Sequence, residues 1–225
     1  MLTLGIDDAG RGPIIGPMIL AGVLIDENAS ALLKKFNVRD SKKYLNNSYR
    51  IEISKTIKQV SKGFHIVKSS PQFIDSSLEK RINLNTIEAM KTAEIINALN
   101  PKKEKIKIIV DCPSTNIHKW RNEVLGLIEY PKNIELLCEH KADVNHISVS
   151  AASILAKVAR EEEVEKLKKE YEKYGKLGSG YPADPDTKVF LKKHGKELTN
   201  SGIFRKSWAT WKALFPEPKQ GTLNI

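Results

Sequence analysis

Two adjacent carboxylates near the start of the chain are the residues best suited to chemistry. Asp7 and Asp8 follow a short apolar segment and precede Gly10-Arg11-Gly12. Because successive strand residues face opposite sides of a sheet, we expect the strand to stop between the two acids so that both reach one site. The glycines allow a tight turn and a close approach of backbone to a ligand. An acidic turn that merely caps a strand is the simpler explanation of this pair taken alone.

Two further acids follow other predicted strands. The apolar run 106–110 suits a central strand covered on both faces, and it ends directly in Asp111. Asp143 comes a few residues after the predicted strand 134–138. Sites in open α/β sheets collect at the carboxyl ends of strands. If the strands that carry Asp7 and Asp111 are parallel neighbours, these two carboxylates meet.

A polar and basic stripe lies on the long helix that is predicted to begin near residue 148. At helical spacing, Ser150, Ser153, Lys157 and Arg160 fall on one side, opposite an apolar face. Such a stripe is usually a solvated surface. The same residue types also suit a face that follows phosphates, so both interpretations remain open here.

Two loops carry further candidate ligand groups. Ser41 and Lys42 lie in a polar, basic segment that either holds a phosphate or is simply solvated. The glycine-rich loop 178–182 presents one aromatic ring, that of Tyr181. Asp184 precedes a proline, which predicts a helix N-cap and hence a structural role.

The elements that must position these residues alternate between strands and helices. Strands are predicted near the start of the chain and over 18–25, 64–67, 106–110 and 134–138, with helices over 29–36, 48–60, 85–99 and from about 148 to 174. This alternation predicts an α/β domain with a mixed sheet. A basic, aromatic helix is expected to begin at 205–208, and it either packs or contacts nucleic acid.

Composition narrows the classes of function. The 225 residues suit one domain, and the formal net charge of +10 favours a polyanionic partner such as nucleic acid. The apolar run 14–25 contains Gly16-Pro17 and is shorter than the roughly 20 residues of a membrane-spanning helix, so the sequence disfavours a membrane protein. Cys112 and Cys138 are too few for a disulfide framework, so we expect a cytoplasmic protein with two buried thiols.

The order and spacing of six short motifs resemble ribonuclease HII of the archaeal type over residues 1 to 212. The motifs are Asp7-Asp8-Ala9-Gly10-Arg11-Gly12, Asp40-Ser41-Lys42, Asp111, His140-Lys141-Ala142-Asp143, Ser150-Ala151-Ala152-Ser153-Ile154 and Gly178-Ser179-Gly180-Tyr181-Pro182. The resemblance implies a ribonuclease H-like, five-stranded mixed sheet flanked by helices. It also implies a catalytic domain over 1–174 and a helical C-terminal extension over 175–215, and we expect 216–225 to be disordered.

The resemblance further implies the activity and the acids that carry it. The family cleaves the RNA strand of RNA/DNA hybrids and cuts 5′ of single ribonucleotides embedded in duplex DNA, leaving a 5′-phosphate and a 3′-hydroxyl. Its four catalytic and metal-binding acids fall on Asp7, Asp8, Asp111 and Asp143. An all-oxygen donor set suits two Mg²⁺ or Mn²⁺ ions, about 4 Å apart. The family's second acid is typically Glu, whereas Asp8 is one methylene shorter.

The resemblance also assigns the substrate contacts. Recognition of the ribose 2′-hydroxyl maps to Gly10, Arg11, Gly12 and Tyr181, and contacts to flanking phosphates map to Ser41, Lys42, Ser150, Lys157 and Arg160. The expected partners are hybrid and ribonucleotide-containing duplexes, and the expected state is a monomer.

Two other functions compete with this interpretation. One is a nuclease of the same fold that cuts DNA junctions, and the other is a catalytically weak protein that binds RNA/DNA hybrids. The tail sequence Gln220-Gly221-Thr222-Leu223 is similar to the start of a sliding-clamp peptide, although no aromatic pair follows it.

Overall fold

A mixed five-stranded sheet forms the centre of the protein in the computed structural model, which describes residues 1–36, 38 and 47–216. Its strands are β1 (Leu2–Ala9), β2 (Met18–Ile25), β3 (Gly63–Ser69), β4 (Ile106–Asp111) and β5 (Ile134–Glu139). Their order across the sheet is β3-β2-β1-β4-β5. β1 and β2 are antiparallel, as are β2 and β3, whereas β4 is parallel to both β1 and β5. The predicted fold class is therefore confirmed.

Helices cover both faces of this sheet. They are α1 (Glu27–Lys35), α2 (Asn47–Val60), α3 (Pro71–Glu79), α4 (Leu84–Leu99), α5 (Ile117–Gly126), α6 (Ala142–Asn145), α7 (Ile147–Glu170), α8 (Pro185–His194) and α9 (Ala209–Leu214). A 3₁₀ turn, Glu172–Tyr174, follows α7. Asn116 caps α5. Asp184 caps α8, as the sequence predicts.

The alternation of side chains along the strands creates two cores. On one face, Leu4, Ile6, Ile108 and Val110 pack with residues of α4 and α5. On the other face, apolar residues of β2 pack against α1, α2 and α7. The first turn of α7 crosses β1 so closely that a Cβ on Gly5 would lie 2.1 Å from the Ser148 carbonyl carbon. This close approach brings the polar stripe of α7 to the carboxyl end of β1.

The C-terminal extension packs onto the segment that follows β1. Ile14 and Ile15 are fully buried with Phe190, Leu191 and Phe204 in a third apolar cluster. A short antiparallel bridge pairs Ile15 with Phe204. The extension therefore borders the turn that follows the two N-terminal acids.

The C-terminal basic segment 205–208 is not helical, and it packs against the rest of the protein. Helix α9 begins only at Ala209, and Arg205 is fully buried. Of the two roles predicted for this segment, packing is the one that the structure shows. In the part of the chain that the structure describes, none of the helices has the length and apolar character needed to span a bilayer.

Candidate active site

The carboxyl ends of β1, β4 and β5 place acidic residues side by side. Ile6 pairs with Val110 in the parallel register of β1 and β4, so Asp7 and Asp111 occupy the next step of the two strands. Asp111 pairs in turn with Glu139 of β5. The condition set from the sequence, that the two strands be parallel neighbours, is met.

The expected break between Asp7 and Asp8 was wrong. β1 continues through both acids to Ala9, because residues 7 to 9 still pair with β2. The Asp7 carboxylate nevertheless remains close to its neighbour, since the Asp8 amide donates to Asp7 Oδ1 at 2.8 Å. The turn comes after Ala9, and both acids line a small cavity at this end of the strand together with Asp111.

Asp143 approaches from the segment after β5. Lys141 adopts a left-handed conformation with φ 58°, and Asp143 lies in the first turn of the short helix α6. The amide of Ala142 donates to Asp111 Oδ1 at 3.4 Å, which ties this helix to the end of β4. The negative charge of Asp143 raises the pKa of Asp111, although burial is the larger cause.

The two N-terminal acids are the most perturbed groups at this edge of the sheet. Burial, followed by repulsion from Asp8, raises the pKa of Asp7 from its usual 3.8 to about 8. Burial also raises the pKa of Asp8 to about 6, and the Arg11 guanidinium counteracts it. Asp111 adds to the pKa of both. Both shifts favour the neutral carboxyl group, mainly because burial disfavours its charged form.

Proximity does not by itself form a finished metal site. Within residues 1–36, 38 and 47–216, no three His, Cys, Asp or Glu side chains form a group that could hold a metal ion. The acids are electrostatic neighbours, connected from Asp8 and Asp7 through Asp111 to Asp143.

Arg205 holds the turn that follows the acids. Its guanidinium is fully buried and donates to the carbonyls of Gly10 at 2.6 Å, Arg11 at 2.9 Å and Gly16 at 3.1 Å. Gly10 has φ 84° and lies so close to α7 that a Cβ would be 2.6 Å from Arg160 Cδ. Glycine is therefore required at this position by both conformation and space.

Further contacts fix the other side of the turn. The Trp208 indole donates to the Gly12 carbonyl at 3.1 Å. The Arg11 side chain turns towards α4, where it pairs with Glu88 and donates to Asn85 Oδ1 at 2.7 Å. The carbonyls and the arginine of the turn are thus engaged by the protein itself.

The polar stripe of α7 is largely buried, so its interpretation as a solvated surface was wrong. Ser150 and Ser153 are at most 1% exposed and Arg160 is 8% exposed. Ser150 Oγ donates to the Val38 carbonyl at 2.7 Å, and Lys157 Nζ donates to Ser153 Oγ at 2.8 Å. Ser153 also hydrogen-bonds Asp7 and lowers its pKa.

Arg160 joins this stripe to the tyrosine loop. Its guanidinium donates to the Ser179 carbonyl at 2.8 Å and lies over the Tyr181 ring, 4.9 Å from the centroid. Asp184 braces the same loop, because Oδ2 accepts from the Ser179 amide at 2.6 Å. The Tyr181 side chain remains 41% exposed and faces Gly12 at 3.7 Å from where a Cβ would lie.

One cleft of about 580 Å³ connects Asp8, the turn, the basic end of the stripe and the tyrosine loop. It is lined by Asp8, Gly10, Arg11, Gly12, Arg50, Lys157, Arg160, Lys168, Ser179 and Tyr181, among others. Ser41 and Lys42 lie outside the described residues, as does the tail sequence 220–223. The two cysteines are buried and free, as expected.

Sequence reasoning missed several residues that shape this cleft. Arg205 lies among exposed-looking basic residues, and Glu88 lies within a helix, so neither shows its role in the sequence. Both act through contacts with residues more than 70 positions away.

The sheet order, the covering helices and the acids at the strand ends define a ribonuclease H-like protein. Comparison with known proteins supports this class. The family model described as ribonuclease HII matches residues 4–211. Ribonuclease HII of Methanococcus maripaludis strain C6 is 40% identical over 225 residues, which cover 99% of this chain and 90% of that protein.

Solved structures give the same result. The ribonuclease H2 of Pyrococcus horikoshii OT3 superposes with a TM-score of 0.83 at 33% identity, over 95% of this chain and 97% of that one. A complex of PCNA with RNase HII from Archaeoglobus fulgidus has a TM-score of 0.80 at 34% identity, over 99% and 98% of the two chains. The chain belongs to the ribonuclease HII family, whose members are endoribonucleases of the ribonuclease H type.

Proposed function

We propose that this protein cleaves the RNA strand of RNA/DNA hybrids and cuts 5′ of single ribonucleotides embedded in duplex DNA. The products would carry a 5′-phosphate and a 3′-hydroxyl. The observation that carries the proposal is the single cleft shared by Asp8, the Gly10–Gly12 turn and Tyr181. A scissile phosphate beside the acids would then have its ribose next to the turn.

The acids fit divalent cations by their chemistry. Asp7, Asp8, Asp111 and Asp143 offer only carboxylate oxygens, the ligands that Mg²⁺ and Mn²⁺ prefer. Burial and the neighbouring carboxylates raise the pKa of Asp7, so a bound cation would offset the cost of ionising it. Bound divalent ions would activate water and stabilise the leaving oxygen.

The turn would recognise the 2′-hydroxyl through its amide groups. Arg205 and Trp208 occupy the carbonyls of Gly10, Arg11 and Gly12, so N–H groups are what the turn can offer a ligand. The 2′-hydroxyl both donates and accepts hydrogen bonds, and it distinguishes RNA from DNA. The Arg11 side chain is held on α4, so its contribution would come from the backbone.

Tyr181 would stack on the sugar of the deoxynucleotide that follows the ribonucleotide. Its ring is partly exposed at the rim of the cleft, and Arg160 holds its other face. This arrangement presents a preformed flat surface, which costs little ordering entropy when substrate binds.

The basic residues of the cleft would hold flanking phosphates. Lys157 lines the cleft and is the clearest candidate, while Arg160 combines this role with bracing of the loop. Ser41 and Lys42 are retained as proposed phosphate ligands on the resemblance alone. The buried Ser150 would instead act indirectly, by anchoring residue 38 next to that segment.

One assay tests this function directly. A DNA duplex with one ribonucleotide, an RNA/DNA hybrid and an all-DNA duplex are incubated separately with Mg²⁺ and with Mn²⁺. We expect cleavage of the first two only, and at least 100-fold less with Asp111→Asn. Cleavage of all-DNA junctions would instead favour the DNA nuclease. Tight binding of hybrids without cleavage by either metal would favour the binding protein.

We also propose that the tail contacts a sliding clamp. The similar RNase HII of A. fulgidus was solved as a complex with PCNA, and the tail of this chain contains Gln220-Gly221-Thr222-Leu223. Deleting residues 216–225 should abolish binding to a clamp from a related archaeon and leave cleavage unchanged. Unchanged clamp affinity would contradict the role of the tail.

A further inference from the structure

The Arg11 guanidinium interacts with two carboxylates that belong to different elements. On one side it pairs with Glu88 of α4 and donates to Asn85. On the other side it is the strongest positive influence on Asp8, whose pKa it lowers. Arg11 and Asp8 line the same cleft. The direction in which this guanidinium turns therefore decides how much positive charge lies at Asp8.

Glu88 has strong physical reasons to keep its arginine. It is only 2% exposed, and a buried carboxylate is costly unless it is paired. In the described part of the chain, its Oε1 has no hydrogen-bond partner, so Arg11 provides its ion pair through Oε2. Breaking this pair would leave a buried charge unpaired.

Glu88 also lies close to the acids. It lines a small cavity together with Asp7, Asp8 and Asp111. Its carboxylate can therefore compete with Asp8 for the same arginine. A guanidinium bonded to Asp8 would occupy the oxygens that a cation needs, because arginine binds carboxylates in a bidentate manner.

We propose that Glu88 is a positioning residue that holds Arg11 on α4 and so leaves the Asp8 carboxylate free to bind a divalent cation. The inference rests on the proposed function, because it takes Asp8 as a metal ligand. Glu88 would itself not touch the metal or the substrate. It acts by keeping Arg11 from closing onto Asp8.

Titration calorimetry of Mn²⁺ with the full-length protein tests the proposal without any cleavage assay. Glu88→Gln keeps the shape of the side chain and removes its charge, so Arg11 is released towards Asp8. We expect Mn²⁺ to bind about tenfold more weakly, because binding must then break a charge-assisted hydrogen bond between Arg11 and Asp8. Glu94→Gln is the matched control, since Glu94 lies on the same helix and pairs with Lys91 on the surface. Its affinity should be that of the unmodified protein.

A double-mutant cycle separates positioning from a simple charge effect. If Glu88 merely adds negative charge, Arg11→Gln should raise Mn²⁺ affinity by the same factor with and without Glu88→Gln. If Glu88 restrains Arg11, the gain should be at least fivefold larger in the Glu88→Gln background. Equal gains, or a Glu88→Gln variant that binds Mn²⁺ as tightly as the unmodified protein, would overturn the inference.

Two further measurements keep the interpretation clear. Circular dichroism and thermal unfolding in chelator check the fold, and Glu88→Met replaces Glu88→Gln in the cycle if the latter does not fold. Asp8→Asn should abolish most Mn²⁺ binding. If Asp8→Asn binds Mn²⁺ normally, the proposed role of Asp8 fails, and the inference fails with it. If Asp8→Asn loses binding and the cycle is additive, only the inference fails.

Discussion

Replacing Asp7 with Asn should stabilise the metal-free protein, and increasingly so as pH rises. Folding raises the pKa of Asp7 from 3.8 to about 8, so between these values the folded protein binds more protons than the unfolded chain. Its stability therefore falls as pH rises through that window. Asn keeps an oxygen that accepts from the Asp8 amide but carries no charge.

The magnitude follows from the two pKa values. With 3.8 in the unfolded chain and about 8 in the folded protein, the raised pKa of Asp7 lowers the free energy of unfolding by about 0.5 kcal/mol at pH 4 and by as much as about 5 kcal/mol at pH 8.5. The free energy of unfolding of Asp7→Asn should exceed that of the unmodified protein by similar amounts. The substitution also lowers the charge repulsion on Asp8 and Asp111, because it removes one neighbouring carboxylate.

Urea unfolding at pH 4, 6 and 8.5 in EDTA measures this difference, with Glu94→Gln as a control. Added Mn²⁺ should reverse the order at pH 8.5, since a cation binds the ionised carboxylates and stabilises only the unmodified protein. An Asp7→Asn variant that is no more stable than the unmodified protein at pH 8.5 would refute the reasoning. So would a stability difference that is the same at all three pH values.

Three other substitutions test separate parts of the cleft. Tyr181→Ala should slow cleavage of a single-ribonucleotide duplex by about 5- to 150-fold, the value of one stacking contact, and leave urea unfolding nearly unchanged. Normal cleavage would exclude a role for the ring. Arg205→Lys should lower the free energy of unfolding by about 3–5 kcal/mol, because an ammonium cannot replace the three-way hydrogen bonding of the guanidinium; a loss below about 1 kcal/mol would contradict this. Lys157→Gln should reduce the slope of log affinity against log salt by about one in filter-binding or anisotropy titrations, and an unchanged slope would remove Lys157 from the phosphate contacts.

The sequence sufficed for the elements whose pattern is local. The apolar run that ends in Asp111 predicted both a central strand and an acid at its carboxyl end, because that information lies in consecutive residues. The cap at Asp184 was likewise predictable, since its side chain accepts from the amide of Asp186, only two positions away. The meeting of Asp7 and Asp111 needed one additional assumption, that their strands are parallel neighbours.

The features that sequence reasoning missed depend on tertiary contacts. The strand continues past Asp7 because β2 pairs with it through Ala9, and nothing in the local sequence reports that pairing. Arg205 and Glu88 are charged residues, which are ordinarily placed at the surface, and only the folded structure shows that they are buried and which groups they bind. The burial of Ser150 also appears only in the folded structure, where its hydroxyl donates to the Val38 carbonyl.

The buried guanidinium of Arg205 also sets an order of events during synthesis. It donates to the carbonyl of Gly10, which lies 195 positions earlier in the chain. At a translation speed of roughly 5–20 residues per second, roughly 10–40 seconds separate the synthesis of Gly10 from that of Arg205. A nascent polypeptide thus carries its acids long before the turn beside them is held in place by Arg205. The proposed ribose-binding turn is therefore completed only after residue 205 has been synthesised.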